Sequence, residues 1–86
     1  MSSYEEEALR LLEAARRLGP RERKVFEYFR KYVSVGDLRA VLDLERLGVR
    51  DAQDVIDRLV EMGLLERGVD CYNLARPLRE YFRRKR

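Results

Sequence analysis

Arg76, Arg79, Arg83, Arg84, Lys85 and Arg86 form a dense basic cluster. Such a cluster can neutralise phosphates and release their counterions, which gives affinity for nucleic acid without regard to sequence. The same residues also read as a solvated end that keeps the chain soluble. Upstream, Asp51, Asp54, Asp57 and Glu61 share a short segment with Arg58 as its one cation. Asp54, Asp57 and Glu61 would repel phosphates but would suit a basic protein partner. Arg50 and Gln53 stand near the start of this segment, and Arg67 follows it. The aspartates at spacing three do not make a metal site, because one helix face without a second ligand segment is insufficient. There is no histidine, and Ser2, Ser3 and Ser34 lack an activating neighbour. The expectation is a non-enzymatic protein with no cofactor and no metal.

A second group of basic residues, Arg16, Arg17, Arg21, Arg23 and Lys24, lies around the first helix junction, with Arg30 and Lys31 beyond it. Arg16 and Arg17 also suit a helix C-terminus. Glu13, Glu22 and Glu27 stand within pairing distance along the helices.

The 86 residues carry a net charge of +3, unevenly spread: +2 over 1–36, −4 over 37–66 and +5 over 71–86. Charged residues make up 41% of the chain, and arginine dominates its basic side chains. Many charges with few thermolabile amides point to a thermophile, where ion-pair networks gain value. Cys71 is alone, so no internal disulfide can form. No apolar run is long enough for a membrane span. The acidic start is unlike a signal peptide, so the expected location is cytoplasmic.

Several elements must position these groups. A helix is expected over 4–18, capped by Ser2 or Ser3 and stopped by Gly19-Pro20. A second starts near Arg21 and carries Val25, Phe29, Tyr32 and Val33 on one face. Val33-Ser34-Val35 reads as a brief strand. A third helix runs from a cap at Asp37 to Leu47, with Leu38, Val41, Leu42, Leu44 and Leu47 inward. A fourth is capped by Asp51, with Ala52, Val55, Ile56, Leu59, Val60 and Met62 inward and Gly63 as its stop. Leu64–Glu66 and Cys71–Leu74 read as two strands around a tight turn, with Tyr72 and Leu74 on one face. Pro77 opens a last helix over 78–84.

This order resembles the winged helix-turn-helix superfamily, in its archaeal-type small DNA-binding form, over roughly Pro20 to Ala75. The stretch Val55-Ile-Asp-Arg-Leu-Val-Glu-Met-Gly-Leu-Leu-Glu, followed by a turn and Tyr72-Asn-Leu, carries the resemblance. It implies a mostly α fold with a small β-hairpin, built as one domain over 1–86 with a core at about 20–75 and terminal helices at 4–18 and 78–84. It also implies a role in transcriptional regulation or chromatin-like association on duplex DNA. Arg50, Gln53, Arg58 and Arg67 would join the basic cluster in such a contact. Two alternatives stay open: a protein–protein adaptor using Asp54, Asp57 and Glu61, and an RNA- or ribosome-associated protein. Leu11, Leu12 and Leu18 with Leu78, Tyr81 and Phe82 offer the terminal helices as a homodimer seam.

Overall fold

The computed structural model describes residues 3–85. The Ser2 cap, the Ser3 side chain and Arg86 lie outside the described residues. The elements in order are α1 (Ser3–Ala15), α2 (Pro20–Tyr32), β1 (Ser34–Gly36), α3 (Asp37–Arg46), α4 (Ala52–Glu61), β2 (Leu65–Gly68), β3 (Cys71–Leu74) and α5 (Arg76–Arg84). The fold class is therefore the expected one, mostly helical with a small antiparallel sheet.

Helix α2 is the central packing element. Pro20 opens it, where a missing N–H costs nothing. The Gly19 N–H donates to the Glu22 carboxylate at 3.3 Å, which satisfies one of the free donors of that end. Val25, Phe26, Tyr28 and Phe29 are buried. The Phe29 ring meets Tyr28 and Tyr72 edge-on, with centroids 5.2 and 6.5 Å away. Tyr32, expected on the same inward face, is instead half exposed.

Helices α3 and α4 end alike. Gly48 and Gly63 both take positive φ, at 88° and 82°. The next residue then folds back: Val49 N–H bonds to Leu44 C=O and Leu64 N–H to Leu59 C=O, each at 2.9 Å. Val49 and Leu64 are buried as a result. The start of α4 departs from expectation. Asp51 adopts a left-handed conformation (φ 53°) and makes no side-chain cap. Its carboxylate pairs instead with Arg21 at 3.6 Å. At α3 the capping position falls on Gly36, and Asp37 is the first helical residue.

The hairpin β2–β3 gains a third strand. β1 pairs with β3, giving the order β1-β3-β2, with Ser34 opposite Asn73 and Leu65 opposite Leu74. Tyr72 and Leu74 point into the core as the alternation predicts. Helix α5 packs along α1. Ala8 and Leu78 are fully buried there, with Leu11, Leu12, Tyr81 and Phe82 packed against the core. Leu12, Tyr81 and Phe82 keep part of their surface open beside this contact. Among the described residues no helix is long and apolar enough to cross a membrane.

Candidate docking surface

Helix α3 carries more apolar residues than it can bury. Leu38, Val41, Leu42, Leu44 and Ala40 spread over more than one face of a helix with 3.6 residues per turn. The core accepts Ala40 and Leu44, with Val41 half-buried. Leu38 and Leu42, one turn apart, are left on the outer face, and Leu38 is 78% exposed. Leu47 and Tyr32 are each about half exposed and line one cleft beside α3. The expectation that Leu38, Leu42 and Leu47 pack inward is therefore corrected: Ala40 lets α3 approach the core through its narrow side. The hairpin turn extends this surface. Asp37 N–H donates to Asp70 C=O at 3.0 Å, and the neighbouring Val69 is 91% exposed. Apolar side chains gathered in this way mark interaction sites more often than scattered ones do.

Beside the leucines lies a cleft of about 680 Å³ between the end of α2, β1 and α3. Tyr32, Val35 and Leu47 give it apolar walls, and Arg39 and Arg46 give it positive ones. Its floor is held by Tyr28, whose hydroxyl donates to Asp43 Oδ2 at 2.6 Å. Burial, and then the bond to Asp43, push the Tyr28 phenol well above its ordinary range. The same bond, with the Arg39 guanidinium, holds the Asp43 carboxyl below its ordinary range. Arg39 Nε lies 3.5 Å from Asp43 Oδ2. Between Tyr32 and Ser34, Val33 has φ 67° and ψ −53°, a strained γ-turn conformation for a β-branched residue. Its N–H bonds back to Phe29 and its C=O accepts from Leu74. The chain thereby leaves α2 and enters β1 without an intervening loop.

The residues expected to meet nucleic acid are mostly engaged within the fold. Arg58 Nε lies 2.8 Å from Glu22 Oε2 and ties α4 to α2. Gln53 donates to Asp57 at 3.0 Å and to the Tyr72 hydroxyl at 2.8 Å. Arg67 reaches Asp57 at 2.9 Å. Arg79 pairs with Glu66 at 3.2 Å, the Arg76 N–H donates to the same carboxylate at 2.9 Å, and Arg83 pairs with Glu80. The Arg76 guanidinium lies over the Tyr4 ring and the Lys85 ammonium over the Tyr81 ring. Arg50 lines a shallow depression with Glu45 and Asp51, and Arg84 lines another with Tyr4, Glu5 and Glu80. Asp54 and Glu61 are exposed on α4, whereas Asp57 is held by Gln53 and Arg67. Arg79, Arg83 and Lys85 line adjoining depressions beside α5, whereas Arg58 and Arg67 pair with Glu22 and Asp57 on α2 and α4. Leu38, Leu42 and Tyr32 carried no functional expectation. Their signal was the excess of leucine on α3 over what one core-facing stripe requires.

The sequence model of one protein family, PolB1 Binding Protein 2, matches residues 20–80, from the first residue of α2 into α5. No curated protein matches the chain. The matching family is not a winged-helix DNA-binding family. It overturns the winged helix-turn-helix resemblance and the roles in transcriptional regulation and DNA binding drawn from it. The Gly-Leu-Leu helix ending behind that resemblance is a local packing solution, as its recurrence in form after α3 illustrates.

Proposed function

Because this chain belongs to the PolB1 Binding Protein 2 family, we propose that it is a non-enzymatic adaptor that binds a DNA polymerase, PolB1, through the outer face of α3. The adaptor reading was the alternative at the level of sequence, but with a different surface. The acidic side chains of α4 are the other surface open to that role, and α3 is preferred because Leu38 and Leu42 stand exposed on it. The observation that carries the reading is the exposed set Leu38, Leu42, Leu47 and Tyr32 in a protein whose family is described by a protein partner. Burying one leucine contributes about 1.5–3 kcal/mol. An apolar centre depleted of charge and surrounded by a polar rim is the usual anatomy of an interface. Arg39 and Arg46 flank the cleft and would select an acidic rim on the polymerase.

Titration calorimetry of the purified chain against purified PolB1 tests this. Leu38→Asp with Leu42→Asp should abolish binding. Leu9→Asp, on a half-exposed residue of α1, should leave it intact. Equal affinity for the double variant and the unaltered chain would remove α3 from the interface.

A further inference from the structure

On another side of the molecule, α1, α2 and α5 enclose a groove of about 560 Å³. Its floor is apolar, made by Leu12, Ala15, Phe26, Tyr81 and Phe82. Its rim carries Arg16, Arg23, Arg30 and Lys85, with Glu27 as the acidic lining residue. A smaller depression of about 210 Å³ continues it past Arg30 and Phe82, which line both, to Arg79 and Arg83. The Arg30 guanidinium lies 4.6 Å from the centre of the Phe82 ring, where the two depressions meet.

Two of these cations are held by exposed carboxylates three residues away in the chain. Arg16 meets Glu13 at 3.4 Å and Arg30 meets Glu27 at 3.7 Å, both as exposed pairs within one helix. Such pairs are worth little in water and exchange readily for a partner's carboxylate. The Arg79 guanidinium pairs with Glu66 through Nη2 at 3.2 Å, while its buried Nε has no hydrogen-bond acceptor. An apolar floor with aromatic rings beneath a rim of arginines fits a ligand that is acidic and apolar together, one turn apart.

We propose that this groove is a second docking site and that it takes an acidic amphipathic segment of a partner protein. Leucine-type side chains would enter between Leu12, Phe26 and Phe82. Carboxylates would meet Arg16, Arg30 and Lys85 at the rim. The site is separate from α3 and does not depend on the polymerase reading.

The probe is a fluorescein-labelled synthetic helical peptide of glutamate and leucine, followed by anisotropy. Binding should weaken steeply as salt rises. Replacing its glutamates by glutamine, or its leucines by alanine, should each abolish binding. Arg16→Gln, Arg30→Gln and Lys85→Gln together should weaken it by about tenfold or more. Lys31→Gln and the Leu38→Asp variant, away from the groove, should leave it unchanged. Circular dichroism melts establish that each variant is folded, and the salt and peptide-composition series on the unaltered chain stands without any variant. Failure of the acidic peptide to bind at low salt, or equal binding of the glutamine peptide, overturns the proposal. So does a single-stranded oligonucleotide that binds through the same three side chains and that the peptide cannot displace.

Discussion

The Tyr28 hydroxyl donates to the Asp43 carboxylate at 2.6 Å, and this bond joins α2 to α3 beneath the cleft. It orients the helix that presents Leu38 and Leu42 outward. Both partners titrate away from their ordinary values, in directions that make the bond strongest near neutrality.

The pH dependence follows from those directions. The Asp43 pKa is depressed in the folded chain, so its contribution is present above the unfolded value of about 4 and is lost as pH falls through the lower folded value. The Tyr28 pKa is raised, so its contribution is present below the unfolded value of about 10 and is lost as pH rises beyond it. Tyr28→Phe should therefore melt at a lower temperature than the unaltered chain at neutral pH, with the gap closing in strong acid and in strong alkali. Thermal melts across pH check this, and a gap independent of pH would sink it.

Leu38 and Leu44 lie on the same helix and should respond oppositely. Leu38→Ala should weaken polymerase binding by about 1–2 kcal/mol, roughly tenfold, and shift folding stability by less than about 0.5 kcal/mol. Leu44→Ala removes a fully buried side chain and should cost about 2–5 kcal/mol of stability. Urea unfolding alongside calorimetry separates the two effects.

Val33 should tolerate loss of its side chain better than Val35 does. Both are half-buried valines packed on the core. Val33→Gly relieves a backbone strain of about 1–3 kcal/mol, which offsets the lost packing. Val35→Gly, in the regular strand β1, has no such offset and should be the more destabilised in urea. The reverse order would show that Val33 is not strained.

At Gly68 the constraint is space. A Cβ there would stand 2.7 Å from Cys71 Sγ and 3.1 Å from Asn73 Nδ2, across the β2–β3 pair. Cys71 Sγ and Asn73 Nδ2 are side-chain ends and Gly68 is exposed, so Gly68→Ala should cost no more than about 1 kcal/mol. Adding Cys71→Ala should recover part of that loss, and a double-mutant cycle measures the coupling. Strict additivity would mean that the clash is relieved elsewhere.

Much of the architecture was legible because it is local. Val55, Ile56 and Leu59 followed by Gly63 specify both the buried face and the end of α4. Tyr72 and Leu74 alternate into the core as a strand must. The outward turn of Leu38 and Leu42 was not legible, because periodicity cannot choose between two apolar faces of one helix. The pairing of Ser34 with Asn73 joins segments far apart in the chain, and no local pattern encodes it. The partners of the arginines were not legible for a related reason. Arg58 and Arg67 look free in one dimension, but the fold supplies Glu22 from another helix and Asp57 from another element.

The contact between α1 and α5 bears on how the chain matures during synthesis. The ribosome makes α1 first and α5 last of these elements, at roughly 5–20 residues per second. For those seconds Ala8, Leu11 and Leu12 have no α5 to lie against, and β1 likewise waits for β3. The nascent chain must therefore hold the apolar stripe of an amphipathic helix in water until α5 emerges. That interval, rather than the finished structure, is when the apolar stripe of α1 is most open to solvent.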